Sequence, residues 1–138
     1  MRKYWVWIVA GVLVLFSLVL LSDAKSIAIH HVLRNEVALT AYAERCMERP
    51  EEAVRYGSWN TRRSETDGVI VFEVSYVGFG SESNQKGFYY SPEDEATGLG
   101  NDQEREPTEK GIRFSGDGDN YTYVEKIADH WYWFERHW

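Results

Sequence analysis

Cysteine, proline and positive charge are scarce in this sequence. Among 138 residues there are three prolines and a single cysteine, Cys46, so an internal disulfide and a zinc site made of several thiolates are both excluded. Acidic residues outnumber basic ones by 22 to 15, and the net charge is −7. Nucleic-acid binding needs a concentrated positive surface. The composition therefore argues against nucleic acid as a partner.

Charged residues are absent from one long stretch near the start of the sequence, residues 4–21. This stretch would form about 27 Å of helix, close to the roughly 30 Å of a bilayer's hydrocarbon core. Aromatic rings cluster at its beginning, as they do at membrane interfaces. The run predicts a transmembrane helix with the lipid bilayer as its partner. Its membrane-spanning residues include Tyr4, Trp5, Trp7 and Leu21.

Two basic residues, Arg2 and Lys3, directly precede this run, and basic residues favour the cytoplasmic side. We therefore expect a single-pass protein of the cell membrane, with a short cytoplasmic N-terminus, an anchor over residues 1–22 and an extracytoplasmic domain over residues 23–138. The alternative is a secreted protein. Small residues precede Lys25 in the pattern that signal peptidase recognises, which would place cleavage near Ala24.

The domain after the anchor divides into a helical part and a β part. Residues 23–49 contain no glycine or proline, are rich in helix formers and show a helical apolar period. They predict one long membrane-proximal helix. Residues 50–138 read as mainly β. The predicted strands are Val69–Phe79, Gly87–Tyr90, Gly111–Ser115, Tyr121–Ile127 and Trp131–His137.

The fold class predicted from these elements is α+β: an N-terminal transmembrane helix, then one long helix packed on a four- to five-stranded antiparallel meander. Residues 93–110 are almost wholly polar. We expect this segment to be mobile and to add nothing to a core.

Aromatic residues are concentrated between Trp131 and Trp138. Side chains alternate along a strand, so Trp131 and Trp133 share one face and the other aromatic residues share the opposite face. One helix covers only one face of a sheet, so the second set should be partly exposed. It would bind a protein or glycan partner, unless it serves only in cross-strand packing. The candidate surface consists of Tyr121, Tyr123, Tyr132, Phe134 and Trp138.

No catalytic set is recognisable, and no cofactor or metal site is predicted. Two groups of residues come nearest to an acid–base pair. The first is Asp129 and His130 with Glu125, and the second is Glu135 with His137. Nothing in the sequence places a nucleophile beside them. Residues 116–120 (GDGDN) begin like a calcium loop but lack its later ligands, and we interpret them as a turn.

Two segments carry a resemblance to a group of known proteins. Residues 87–95 (GFYYSPEDE) and 121–135 (YTYVEKIADHWYWFE) are similar to segments of small, uncharacterised, exported or membrane-anchored proteins of Gram-positive bacteria. The resemblance is confined to the C-terminal half and to strand-and-turn sequences. It implies an anchored extracytoplasmic domain and assigns no activity to any residue.

Three functions are compatible with these observations. We expect a single-pass membrane protein whose exported domain is a non-catalytic binding or structural module. A small pocket-containing enzyme or ligand-binding domain is the first alternative, and as an enzyme it would need His130 or His137 beside an acid. The second alternative is a partner-neutralising or inhibitory membrane protein, for which the acidic balance favours a basic partner.

Overall fold

Helices occupy the first third of the chain. The computed structural model describes residues 2–20 and 23–138, with side chains described at 4–16 and 23–138. The helices are α1 (Arg2–Leu20), α2 (Ala24–Arg34) and α3 (Glu36–Glu48), and a 3-10 helix follows at Pro50–Glu52. Leu21, which was predicted to span the membrane, lies outside the described residues.

The transmembrane helix predicted over residues 4–21 is contradicted. None of the helices that the structure describes is both long enough and apolar enough to cross a membrane. Tyr4, Trp5 and Trp7 all lie in α1 and are exposed.

The one long helix predicted over residues 23–49 is also wrong, because it is divided into α2 and α3 at Asn35. The backbone of Asn35 is not helical, with φ −121° and ψ 22°. Its side-chain Nδ2 donates to the carbonyl of His31 at 2.9 Å, and its backbone N–H reaches His31 and Val32. An asparagine that bonds nearby backbone groups in this way competes with helix continuation.

Over residues 2–20 and 23–138, the structure has eight strands in a single antiparallel sheet, which corrects the predicted four to five. Its spatial order is β1-β2-β3-β4-β8-β7-β6-β5. Two meanders, β1–β4 and β5–β8, are joined where β4 pairs with β8. The strands are β1 (Arg55–Tyr56), β2 (Trp59–Ser64), β3 (Val69–Phe79), β4 (Glu82–Tyr90), β5 (Glu104–Pro107), β6 (Ile112–Ser115), β7 (Tyr121–Ala128) and β8 (Trp131–His137).

The three unpredicted strands lack the apolar alternation that identifies a half-buried strand. β2 has the sequence WNTRRS, and only Thr61 and Ser64 in it are buried. β5 has the sequence EREP and is exposed along its whole length at one edge of the sheet. Backbone pairing with a neighbour, rather than side-chain burial, makes these segments strands. The α+β class itself is confirmed.

One face of the sheet packs against α2 and α3. Phe72 and Phe88 stack at 4.7 Å between ring centroids, and Trp131 packs against both rings. The indole Nε1 of Trp131 donates to Thr40 of α3 at 3.1 Å, which fixes the helix over the strands. The buried members of this first core are Ala28, Val32, Leu39, Tyr42, Ala43, Cys46, Ile70, Phe72, Phe88, Tyr90, Trp131 and Trp133.

The opposite face carries a second core, and residues 91–103 cover it. Leu99 of this segment is 4% exposed and belongs to a buried cluster whose other members come from five strands. The prediction that residues 93–110 add nothing to a core is therefore wrong for residues 93–103. This part was misjudged because Ala96 and Leu99 are its only apolar side chains, and hydrogen bonds hold its polar residues on the sheet. The buried members of the second core are Val69, Val71, Tyr89, Leu99, Phe114, Val124, Tyr132 and Phe134.

Leu39 and Val37 in α3 offer a matched test of the first core. Leu39 is fully buried, whereas Val37 is 88% exposed. We expect Leu39→Ala to lower the free energy of unfolding by about 2–5 kcal/mol, because it removes buried methyl groups and leaves a cavity. Val37→Ala should change it by less than about 0.5 kcal/mol. Urea unfolding followed by circular dichroism measures both, and equal effects of the two variants would refute the packing described here.

Candidate functional site

A cleft of about 510 Å³ opens at the end of the sheet where β8 finishes. One wall is the β3–β4 turn with the start of β4, and the other is the loop between β6 and β7. The last residues of the chain lie between the two walls. We call this the terminal cleft. Its lining residues are Ser81, Glu82, Ser83, Asn84, Asp117, Gly118, Asp119, Asn120, Tyr121, His137 and Trp138.

Trp138 is held in the cleft by its backbone. Its N–H donates to the Ser83 carbonyl at 3.1 Å, and its own carbonyl accepts from the Ser83 N–H at 2.8 Å. The Arg136 guanidinium lies over the indole at 4.6 Å, and the Tyr76 ring is 6.0 Å away. Even so, 36% of the residue is exposed. The indole is thus a fixed aromatic plane that remains partly open to solvent.

Tyr121 lies on the other side of the cleft in a stack of its own. Its ring stacks on His137 with centroids 4.4 Å apart, and the Arg113 guanidinium carbon lies 4.2 Å from the same ring. Tyr121 is partly buried, whereas Trp138 is exposed, so Trp138 is the more accessible aromatic side chain of the two.

The β6–β7 loop forms the polar wall. Gly116 N–H donates to the Asn120 carbonyl at 2.8 Å, and Asn120 N–H donates to the Asp117 carbonyl at 3.2 Å. Gly118 has φ +62°, a conformation in which a residue with a Cβ is strained. The segment forms a tight turn, in line with its interpretation from the sequence.

Polar groups in the cleft are mostly acceptors. Glu82, Asp117 and Asp119 bring carboxylates, and Asp117 accepts a hydrogen bond from Gln103. Within the described residues, the buried Oδ1 atom of Asn84 has no hydrogen-bond partner. A buried acceptor without a donor costs free energy, so a ligand that donates to Asn84 would gain from doing so.

The predicted aromatic surface is divided between the cleft and the interior. Tyr121 and Trp138 line the cleft, whereas Tyr132 is 5% exposed and Phe134 is fully buried in the second core. Tyr123 is partly buried, and its hydroxyl donates to Glu125 at 3.1 Å. The structure therefore brings together two of the five residues, and their binding role stays a prediction.

No pattern in the sequence points to Ser83 and Asn84. Both residues belong to the polar first half of β4. The sequence analysis placed the start of this strand at Gly87, whereas the strand begins at Glu82. Asn84 pairs with His137 and Gln85 with Arg136, so the strand continues through residues without an apolar pattern. The aromatic end of β8 was the only pointer to this region, since its partner strand has to lie beside it.

The candidate acid–base residues do not form a histidine–carboxylate pair in the part of the chain that the structure describes. The Nδ1–H of His130 donates to the Ser91 carbonyl at 2.9 Å, and His137 stacks on Tyr121. Glu125 accepts from Lys25 at 2.5 Å, and Glu135 accepts from the Trp133 indole at 3.2 Å. Each group already has a structural partner.

A carboxylate that the sequence did not single out, Asp94, holds the β7–β8 turn. One oxygen accepts from the backbone N–H of His130 at 2.8 Å and from the Tyr132 hydroxyl at 2.9 Å. The other accepts from Lys126 at 2.9 Å. The bond from Lys126, followed by the bond from His130, lowers the pKa of Asp94 to about 2. Asp94 is thus a charged clamp on the turn.

A second cavity, of about 590 Å³, lies beside this clamp and contains neither histidine nor cysteine. Its charged and polar members include Asp94, Arg105, Lys110, Lys126 and Tyr132. Among the residues with described side chains, no group of three His, Cys, Asp or Glu is arranged to hold a metal ion.

Comparison with models of protein families, with curated proteins and with solved structures gave no match. Inference about function therefore rests on the geometry and chemistry of this chain.

The clamp formed by Asp94 predicts a specific pH dependence. A carboxyl whose pKa falls from 3.8 to about 2 on folding contributes stability above its unfolded pKa, and this contribution disappears as the pH falls through the folded pKa. We expect Asp94→Asn to be less stable than the wild type at pH 6, with the difference shrinking between about pH 4 and pH 2. Urea unfolding at a series of pH values measures this difference. Asp129→Asn, whose side chain is 87% exposed, is the control, and a constant wild-type advantage down to pH 2 would refute the clamp.

Proposed function

We propose that this protein is a non-catalytic binding module and that its terminal cleft binds a neutral oligosaccharide. Sugar rings present an apolar face that packs on an aromatic plane and a rim of hydroxyl groups that donate hydrogen bonds. Trp138 offers the plane, and acceptor groups surround it. This pairing of one accessible indole with a polar rim is what supports a glycan ligand.

The observation that carries the proposal is the partly exposed Trp138 indole in a cleft whose lining also includes Asn84, a residue with an unpartnered Oδ1 atom. A sugar hydroxyl is an uncharged donor that could reach this acceptor without bringing an unpaired charge into the cleft. The free-energy cost of burying a hydroxyl group is small when the group forms a hydrogen bond in the buried site, and it is large when the group forms none. The cleft thus favours a ligand with hydroxyl donors.

The charge of the cleft favours a neutral sugar over an acidic one. Glu82, Asp117 and Asp119 are acidic, and Arg136, whose guanidinium lies over the Trp138 indole, is not among the lining residues. A uronic or sialic acid would meet like charges there, which costs free energy. The three carboxylates remain good acceptors for neutral hydroxyl groups.

A basic protein segment is the second candidate ligand, and the same carboxylates favour it. Together with the net charge of −7, they would attract a lysine- or arginine-rich partner. In that case the protein would act by occupying or shielding the partner. Such binding weakens steeply as salt is added, whereas stacking of a neutral sugar does not.

The role of Trp138 can be tested with matched tryptophan variants. We expect the full chain to bind at least one of a panel of neutral oligosaccharides (chitotetraose, cellotetraose and maltotetraose) in isothermal titration calorimetry. Trp138→Ala should weaken this binding by at least about fivefold, equivalent to about 1 kcal/mol. Asn84→Ala should weaken it as well. Trp7→Ala, which removes an exposed tryptophan of α1, should leave it unchanged.

Two results would overturn the glycan proposal. One is the absence of binding to every oligosaccharide of the panel by the folded chain. The other is binding that Trp138→Ala and Asn84→Ala leave intact, since the ligand would then lie elsewhere. Binding of a basic peptide that disappears at high salt would favour the second candidate.

We also propose that the domain works outside the cytoplasm. The support comes from the basic residues that precede an apolar run and from the small residues before Lys25. In cells that express the full chain, we expect the β domain to be digested by protease added outside intact cells, or released with Lys25 as its first residue. Protection from the protease, together with an intact Met1 in the cytosolic fraction, would refute this location.

A further inference from the structure

The second cavity, of about 590 Å³, lies at the opposite end of β8 from the terminal cleft. It opens on the face of the sheet that carries the second core, beside the segment of residues 91–103 that covers this face. Strand register places its members there, because Ile112 pairs with Val124 and Lys126 pairs with Tyr132. Paired side chains of an antiparallel ladder lie on the same face. A volume of this size is typical of a pocket for a small organic molecule.

Part of the cavity lining is apolar. Val124 and Tyr132 are buried members of the second core, and Ile112 and Ala96 pack against that core. Ala96 belongs to the covering segment, so the sheet and its cover both contribute. Gly111 allows the β5–β6 hairpin to approach β7 closely, since a Cβ there would lie 2.1 Å from the Val124 carbonyl oxygen. The cavity thus offers apolar surface to a ligand.

Two cations of the β5–β6 hairpin, Arg105 and Lys110, also line the cavity. Arg105 pairs with Phe114 of the second core, and its guanidinium carbon lies 5.5 Å from the centroid of that ring. Arg105 and Lys110 are both exposed, and neither forms an ion pair with another residue whose side chain is described. Glu125, a carboxylate that interacts electrostatically with Lys110, already pairs with Lys25 at 2.5 Å. The two hairpin cations are therefore available to a ligand.

The acidic groups of the cavity do not cancel these two charges. One oxygen of Asp94 accepts from Lys126 at 2.9 Å. The other accepts from the His130 N–H at 2.8 Å and from the Tyr132 hydroxyl at 2.9 Å, so this carboxylate is compensated. Glu95 is exposed, and solvent screens its charge. With three cations and two carboxylates, the lining has an excess of positive charge in a chain whose net charge is −7.

We propose that this cavity binds a small molecule with one carboxylate and an apolar body, such as a medium-chain fatty acid. The carboxylate lies between Arg105 and Lys110, whose side chains supply charged donors. The apolar body lies against Ile112, Val124 and Ala96, and its removal from water favours binding. This site differs from the terminal cleft in position and in ligand class, and it does not rest on the glycan proposal.

Octanoate is the probe that tests this site in calorimetric titrations of the full chain. We expect saturable binding of one octanoate per chain. Butanoate should bind at least about tenfold more weakly, because each buried methylene group strengthens binding by about fourfold. Octan-1-ol has an apolar chain of the same length without the charge, and it should also bind at least about tenfold more weakly. Absence of octanoate binding, or equal affinity for octanoate and octan-1-ol, would overturn the proposal.

Three exposed cations of the β5–β6 hairpin distinguish this site from a general attraction of anions. Arg105→Gln and Lys110→Gln should each weaken octanoate binding by about tenfold. Arg113→Gln is the matched control and should leave the affinity unchanged, because Arg113 lies between Ile112 and Phe114 in β6 and so on the opposite face. A loss in only one of the first two variants would place the carboxylate on that residue. Wild-type affinity in both would refute the site.

Methyl NMR signals locate the bound octanoate, since α1 also exposes apolar side chains that could take up a fatty acid. We expect the signals of Ile112 and Val124 to shift with the same saturation curve as the calorimetric titration. The signal of Ile8 in α1 should stay unchanged. Shifts that spare both Ile112 and Val124 would refute the cavity as the binding site, whatever happens at Ile8.

Discussion

The backbone pairing of β4 with β8 is the interaction on which the rest of this structure depends. It joins two meanders into one sheet, and it brings together strands that are distant in the sequence. Along this ladder the buried half runs from Gly87 to Tyr90 and from Trp131 to Phe134. The other half is polar and lines the terminal cleft. One pair of strands therefore supplies the central side chains of both cores and positions the candidate site.

The second core shows how a polar segment can cover an apolar face. Residues 91–103 bury little apolar surface of their own, yet they are fixed to the sheet by hydrogen bonds. The Tyr89 hydroxyl donates to the Thr97 carbonyl at 3.2 Å, and Thr122 donates to the Gly98 carbonyl at 2.7 Å. Gly98 fits there because a Cβ would lie 2.3 Å from the Asn101 carbonyl oxygen. These hydrogen bonds, together with the buried Leu99 side chain, hold the segment over the sheet where another fold would use a second layer of helices.

The regular parts of the fold could be predicted, because a single strong pattern determines each of them. The alternation of Trp131 and Trp133 with Tyr132 and Phe134 placed the two pairs on opposite faces, as observed. The break at Asn35 and the strands β2 and β5 could not be predicted, since side-chain hydrogen bonding and backbone pairing produce them without any apolar period. The exposure of the second aromatic set was misjudged for a similar reason. Its cover lies in a segment whose composition resembles a loop.

The candidate site was even less predictable from the sequence. Tyr121 and Trp138 were found through their aromatic character alone. Asn84 gained its significance from what lies around it, because its buried Oδ1 atom has no hydrogen-bond donor among the described residues. A missing partner of this kind depends on all the neighbouring elements, so no local sequence pattern predicts it.

The edges of the sheet also limit how this chain can associate. An open edge is a template on which another β-strand can add, and uncontrolled addition leads to fibrils. Here β5 ends the sheet with Glu104, Glu106 and Pro107, whose charges and missing N–H group hinder such addition. The opposite edge consists of β1, which contains only Arg55 and Tyr56, and of the part of β2 that β1 leaves unpaired. The charges and the proline of β5 therefore make that margin of the sheet the less suited to joining a second copy edge to edge.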